Sequence, residues 1–444
     1  MKNNTKSFAI ITLGCKVNQE EGAAIAALFL AAGYREADFS MPADIYIINT
    51  CTVTQLADRK SRQMIRRALN ISPTPFVIVT GCYAQTSAED IAGIEGVDLI
   101  IGTEEKAHIV EIAEKYTAKN IAAPLPAKEI SDIGKAKVFK QIESSSRGQK
   151  RTRAYLKIED GCEQFCTYCI VPYARGPVRS LPVDKAVSEA RQLLAAGHKE
   201  IVLSGIHVGV YGRDLPNADL ITLIKAILPL TGLARLRISS IEPQQVSERL
   251  IELMAAEPAI CRHLHIPLQS GSDNILRAMN RHYTTAEYRT LTNKLRSYFP
   301  DIAITTDIMC GFPDESEDDF LASAQFVRDI GFADMHIFPY SPRAGTPAAS
   351  FPNQIAAKIK NRRAAEIKEI AFKSRADYMS GFIGSCLEVL PEYETEIDGR
   401  KYCFGHSGNY LPVLFDGGAH GDDICKITIT GMLENHLLGS KTAK

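Results

Sequence analysis

Short apolar runs alternate with amphipathic stretches along most of this chain. Residues 8–13 form a buried-strand pattern, and 20–32 follow with helical spacing, Ile25, Leu28 and Phe29 on the apolar face, stopping at Gly33. Strand patterns recur at 44–49, 76–80 and 97–102, with a helix over about 57–69 between the first two. Strands alternating with helices predict a parallel α/β sheet. A second series starts near Arg151, with strand patterns at 154–158, 200–204, 235–239, 263–267, 302–306 and 334–338, each separated by helix. Six such units are shorter than the eight-fold barrel and predict a partial (βα)6 barrel. Ser204, Ser239, Gln269, Asp307 and Tyr340 sit at its expected strand ends. After a basic helix over 354–375 the texture changes to short strands at 385–390, 410–415 and 424–429 with Gly-rich turns, the pattern of a small β-barrel.

The divisions that follow are an N-terminal α/β domain over 6–120, a linker over 121–150, the partial barrel over 151–376 and a small barrel over 378–440. The linker reading rests on residues 122–126 and 144–148 and on seven Lys/Arg (Lys135, Lys137, Lys140, Arg147, Lys150, Arg151, Arg153) against Glu143. That stretch reads as a solvated basic linker or as a contact for a phosphate backbone. A net charge of −1 leaves nucleic-acid binding to such local patches. Arg59, Lys60, Arg62, Arg66 and Arg67 on one helix form another, or a plain solvated face.

Cysteine placement changes the picture most. Eleven Cys in 444 residues, an odd number in a long chain, exclude a small disulfide scaffold. There is no apolar h-region at the N-terminus and no run of membrane-spanning length, so a reducing cytoplasm is expected. Cys162, Cys166 and Cys169 spell C-x3-C-x2-C, a spacing that suits an iron–sulfur cluster or a zinc ion. A four-thiolate zinc site needs a fourth ligand, and no Cys follows until Cys261. Three Cys on a four-iron cube leave one iron open to a small molecule. Cys15, Cys51 and Cys82 each come just after one of the first three strands, where open parallel sheets build their sites, so they should converge as a second three-thiolate site. Cys261, Cys310, Cys386, Cys403 and Cys425 match no cluster pattern. His207, His263 and His265 read as strand-end histidines, since no third metal ligand is evident beside them.

C-x3-C-x2-C with Tyr168 before the last Cys, at the start of a βα barrel, resembles the radical S-adenosylmethionine enzymes. With residues 12–18, 49–53, 81–85, 161–173, 265–272 and 311–313, the chain resembles the methylthiotransferases among them nearly end to end. The tail at 405–410 resembles the TRAM domain, an RNA-binding barrel. Gly14-Cys15-Lys16-Val17-Asn18 and residues 52–63 look like the branch acting on threonylcarbamoyl-adenosine in tRNA, beside the anticodon, rather than on isopentenyl-adenosine or a ribosomal protein. The resemblance implies two [4Fe-4S] clusters, an auxiliary one on Cys15, Cys51 and Cys82 that carries the donated sulfur, and one on Cys162, Cys166 and Cys169 that cleaves S-adenosyl-L-methionine. A methylthio group then reaches carbon 2 of the adenine. Tyr168, Gly205, Ser239, Glu242, Gln269 and Arg175 are the expected cofactor-positioning residues. The implied partners are the tRNA anticodon stem-loop, an electron donor such as flavodoxin or ferredoxin, and a sulfur source, with no membrane. The rival readings are a methylthiotransferase for isopentenyl-adenosine in tRNA or for a ribosomal-protein side chain, and a non-catalytic RNA-binding iron–sulfur protein.

Overall fold

The computed structural model describes residues 6–71, 75–118, 126–142, 152–416 and 423–442. Strands β1 (Ser7–Thr12), β2 (Arg35–Glu36), β3 (Ile45–Thr50), β4 (Phe76–Gly81), β5 (Leu99–Ile101) and β6 (Ala127–Glu129) form one parallel sheet in the order β2-β1-β3-β4-β5-β6. Its strands bury both faces. Ala9, Tyr46, Ile48, Val77, Val79 and Ile100 point into one apolar layer, and Phe8, Ile45, Ile47, Ile78, Leu99 and Ile101 into the other. Continuous apolar runs rather than alternation are what such two-sided burial requires. β6 lies inside the span read as linker, where Ala127–Glu129 pairs in register with Leu99–Ile101. Its sequence, Ala-Lys-Glu, is too short and polar to announce a strand; the pairing is supplied by the free edge of β5. Residues 121–125 and 143–151, which carried much of the linker and basic-stretch reading, lie outside the described residues.

The second unit begins with β7 (Arg153–Lys157), followed by the short antiparallel pair β8 (Glu159–Asp160) and β9 (Arg179–Ser180). β10 (Glu200–Ser204) and β11 (Arg235–Ile238) complete one parallel sheet with β7. β12 (His263–His265), β13 (Ala303–Cys310) and β14 (Asp334–Pro339) make another. Parallel bridges Leu236–Ile260 and Ser240–His265 join the two into one six-strand arc. Its core is a large Leu/Ile-rich layer beneath the outer helices. β13 runs on to Cys310, so Asp307 lies within a strand and not at its end as expected. It pairs there with His336 of β14.

The last 56 residues described include a closed five-stranded barrel: β15 (Cys386–Ile397), β16 (Arg400–Ser407), β17 (Pro412–Asp416), β18 (Cys425–Leu433) and β19 (His436–Lys441), in the order β15-β16-β17-β19-β18. The sequence pattern does not announce β16 and β19, because Gly, His, Lys and Ser interrupt the apolar alternation in both. Arg235 donates to the carbonyls of His406 and Glu388, and Arg237 to that of Gly408, which fastens this barrel to the start of β11. Helix α1 (Lys16–Ala31) lies along the free edge of the arc, where Glu20 accepts the backbone N–H of Lys157 on β7 at 2.7 Å. The helix thereby satisfies an edge donor that would otherwise be unpaired.

Candidate active site

β1, β3 and β4 are neighbours in the first sheet, and each runs directly into a cysteine at its carboxyl end. Cys15 caps α1, Cys51 leads toward helix α2 (Gln55–Ile71), and Cys82 opens helix α3 (Cys82–Thr86). The three turns are tied together by side chains. Asn18 donates to the carbonyls of Leu13 and Thr50, and Asn49 donates to that of Asn18. Gly14 has φ +97°, and a Cβ there would sit 2.6 Å from Cys51 Cβ and 2.7 Å from its Sγ. Only glycine lets the two cysteine turns approach this closely. Burial, together with the neighbouring thiols of Cys82 and Cys15, pushes the Cys51 thiol up to about 12. A cluster held here would displace that proton on binding.

Arg175 changes place relative to the expectation. Its guanidinium is fully buried and donates from Nε to Cys82 Sγ at 3.4 Å, from Nη2 to Asn18 Oδ1 at 2.5 Å, and from Nη1 to Glu21 and Asp160. All its donor nitrogens are engaged within the chain, so it is not free to grip the S-adenosylmethionine carboxylate. It braces the auxiliary cysteine turn instead. Lys106 and Lys157 also pair with Glu21, and Arg179 with Asp160 and Glu104. Against the cost of burial, Arg175, Lys106 and Lys157 hold the Glu21 carboxyl well below the usual carboxylate range. With Lys140, which also pairs with Glu104, five cations face the three carboxylates of these pairs, an excess of positive charge near Cys82. That sign suits a thiolate-ligated cluster.

The second trio sits on a loop pinned from both sides. Gly161 has φ +99° and packs so tightly on the Pro177 carbonyl that a Cβ would lie 1.9 Å from its oxygen. Cys162 N donates to Gly176 O, Thr167 N to Met279 O, and Asn280 Nδ2 to the Phe165 carbonyl. Arg281 donates to Cys166 Sγ at 3.4 Å and pairs with Glu242. His207 Nδ1 stands 3.9 Å from Cys162 Sγ, and burial lowers its pKa, so the ring stays neutral. Burial likewise pushes the Cys162 thiol up to about 12. Among the described residues, His265, Asp307 and His336 alone bring three ligand atoms within 4.8 Å of one another. Both cysteine trios are thus spread wider than a single ion's shell, and an all-thiol donor set of that breadth fits an iron–sulfur cluster better than zinc.

The remaining expected residues divide. Glu242 lies beside Cys166 through Arg281. Ser239 Oγ is buried with no hydrogen-bond partner among the described residues, an orphan that a ribose hydroxyl would satisfy. Gln269 is buried at φ 65°, and Tyr168 packs with Ile275, Met279, Phe312 and Tyr340. Gly205 is closed in: a Cβ would meet Glu159 Oε2 at 2.8 Å, and the facing carboxylate rather than open space defines that position. Glu159 itself accepts His207 N–H at 2.6 Å and, through burial, is pushed up to about 8. Sequence reasoning passed over Glu159, Arg281 and the contact of Arg343 with Asp58 and Thr52, at 2.6 Å to each. None stands in a local motif, and each gains its role from a partner more than 35 residues away. Beside His265 the fold brings Asp307 and His336, with ligand atoms within 4.8 Å of one another, a grouping that no spacing within one strand announces.

A βα arc carrying a three-cysteine loop, joined to a sheet whose three neighbouring strands each end at a cysteine, is the arrangement of a radical S-adenosylmethionine enzyme. The chain matches the profile of an uncharacterized protein family, UPF0004, over residues 7–102 and that of the radical SAM superfamily over residues 156–327. It is 41% identical over 413 residues to the threonylcarbamoyladenosine tRNA methylthiotransferase MtaB of Bacillus subtilis, covering 93% of this chain and 90% of that protein. It is 33% identical over 444 residues to the tRNA-2-methylthio-N(6)-dimethylallyladenosine synthase of Pelotomaculum thermopropionicum, covering 98% of this chain and 97% of that one. The fold resembles the radical S-adenosylmethionine methyltransferase TsrM of Kitasatospora setae, with a TM-score of 0.58 at 14% identity over 78% of this chain and 77% of that one. The chain belongs to the MtaB-like radical S-adenosylmethionine methylthiotransferases. No helix among the described residues is long and apolar enough to cross a membrane.

Proposed function

We propose that this enzyme adds a methylthio group to carbon 2 of N6-threonylcarbamoyladenosine at position 37 of tRNA. The observation that carries the substrate is the 41% identity, over 93% of the chain, to a methylthiotransferase named for that nucleoside. Cys162, Cys166 and Cys169 would hold one [4Fe-4S] cluster, and Cys15, Cys51 and Cys82 the other. Bound there, the clusters and S-adenosylmethionine supply a radical for an inert carbon–hydrogen bond and a sulfur to replace the hydrogen. The chain's own residues do the positioning. Gly161 and Arg281 fix the Cys166 loop, Arg175 fixes Cys82, and Ser239, Glu242 and Gln269 would line the cofactor side of the arc. The parts correspond to an auxiliary-cluster domain over 6–120, a catalytic arc over 151–376 and a TRAM-like RNA-binding barrel over 378–440. A flavodoxin or ferredoxin would supply electrons in the cytoplasm, and a separate source the sulfur.

Nucleoside analysis of tRNA from a deletion strain tests the substrate. The 2-methylthio form of threonylcarbamoyladenosine should disappear and its unthiolated precursor rise. Loss of 2-methylthio-isopentenyladenosine instead would assign the enzyme to the activity named for its 33% identical relative. With reconstituted protein, about eight irons per chain and 5′-deoxyadenosine release are expected from two four-iron clusters. Four irons, or no cleavage product, would exclude the two-cluster reading.

A further inference from the structure

The inner face of the arc carries a charge cluster that neither cysteine site uses. His265, Asp307 and His336 stand on adjacent parallel strands, with Asp307 in register with His336. His265 Nε2 and His336 Nδ1 approach the same Asp307 oxygen at 3.3 and 3.2 Å. Thr305 Oγ1 holds the other nitrogen of His265 at 3.0 Å. His336 is 65% exposed by side chain, and beside it Phe338 is exposed with the two rings 6.5 Å apart. The patch is therefore open to an incoming molecule, with an aromatic face at its margin.

Lys16 reaches the same space from the other domain. It follows Cys15 at the start of α1, is exposed, and makes no ion pair with any described residue. Its Nζ lies 5.7 Å over the ring of Tyr410, which in turn packs 4.9 Å from His263. Its charge is felt at both His263 and His336. Asp307 biases His336 toward its protonated form, whereas burial and Arg237 keep His263 neutral. Asp334 also acts on His336 but is paired with Arg375 at 2.6 Å, so Lys16 and His336 are left facing the one carboxylate of Asp307, and the surplus matches a single negative charge on a ligand. The location is also fitting: Lys16 adjoins a cysteine of the sulfur-carrying trio, and the trio of side chains lies on the arc that carries the radical loop.

We infer that Lys16 and His336 form the subsite that grips the free carboxylate of the threonylcarbamoyl substituent, with Asp307 orienting His336. This rests on the substrate proposed above. A purely hydrocarbon substituent on the same nitrogen would offer Lys16 no counter-charge, so the subsite selects an acidic side group. Lys16 and His336 are specificity-determining residues, and the cysteines remain the cluster-holding ones.

The test compares two anticodon stem-loops, one bearing threonylcarbamoyladenosine and one with its threonyl carboxylate replaced by the primary amide. Binding to full-length reconstituted protein is measured at one fixed salt concentration, where phosphate contacts cancel in the ratio. The wild type should prefer the acid by about tenfold, the scale of one charge-assisted hydrogen bond. Lys16→Ala should bring the ratio close to one, Lys16→Arg should keep most of it, and His336→Phe should lower it. A wild-type ratio near one, or a ratio unchanged in Lys16→Ala and His336→Phe, would overturn the subsite. So would one zinc per chain that survives cluster removal and is lost in His265→Ala, because those side chains would then be occupied. If the protein methylthiolates the isopentenyl stem-loop and not the threonylcarbamoyl one, the substrate proposal fails and the subsite with it. If it modifies the threonylcarbamoyl stem-loop while the acid–amide ratio ignores Lys16, the subsite alone fails.

Discussion

Arg175 shows how much one buried side chain settles at this junction. It touches Cys82, Asn18, Glu21 and Asp160 at once, from complete burial. A buried guanidinium so placed is costly to desolvate; removing it takes one partner from Glu21 and Asp160, which keep Lys106, Lys157 and Arg179, and leaves Asn18 Oδ1 and Cys82 without its hydrogen bonds. Arg175→Met should lower unfolding stability by about 1–3 kcal/mol, the scale of losing charge-assisted hydrogen bonds while the carboxylates stay paired, read as the urea midpoint of the metal-free protein. A loss below about 1 kcal/mol would mean the network contributes little. Arg281 is the counterpart on the other loop, joining Glu242 to Cys166. Arg281→Ala should reduce S-adenosylmethionine cleavage while leaving iron at the auxiliary trio, seen as a selective loss of about half of the bound iron. Loss of iron from both sites equally would place its role in general folding.

At the scale of single elements, α1 carries two adjacent carboxylates that the fold drives apart. Glu21 is held ionised by three cations, while Glu20, buried against Ser204 and the Lys157 backbone, is pushed up to about 7 by loss of solvent. In the unfolded chain that proton leaves near 4.5, so the folded state keeps it longer. Stability from Glu20 is thus full below about 4.5 and is lost as pH rises through about 7. Glu20→Gln, which cannot ionise, should raise stability by under about 1 kcal/mol at pH 5 and by roughly 3 kcal/mol at pH 8.5, by the midpoint of chemical unfolding. An equal effect at both pH values would assign Glu20 a role that does not depend on its proton. The turn before α1 gives a sharper readout. Gly14→Ala would drive a Cβ into Cys51 at a positive φ, so it should cut bound iron from about eight to about four per chain. These elements also show what was legible beforehand. Strand–helix alternation and a cysteine after each of three strands pointed to the first site, since both signals are local. The edge strand β6, the extension of β13 past Asp307, and the fate of Arg175 all depend on partners distant in sequence. Periodicity carries no record of such partners.

Across the whole molecule, the three parts meet through cationic side chains. Arg343 holds the loop after β14 to Asp58 and Thr52, the Arg175 network joins the first domain to the arc, and Arg235 and Arg237 fasten the small barrel. Those charges are consumed internally and leave other groups for RNA. On α2, Arg62 is taken by Tyr83, whereas Arg59, Lys60, Arg66 and Arg67 stay exposed. That helix begins four residues after Cys51, so its basic face follows closely on the first cysteine trio. An anticodon stem-loop delivering its base between the two trios would run its backbone past this face. Replacing the four exposed cations with Gln should make the plot of log affinity against log salt shallower by about 3, the value for four phosphate contacts. The unfolding midpoint should move little, since exposed substitutions usually cost under about 0.5 kcal/mol. An unchanged salt slope would take α2 out of the RNA path and leave phosphate recognition to the small barrel.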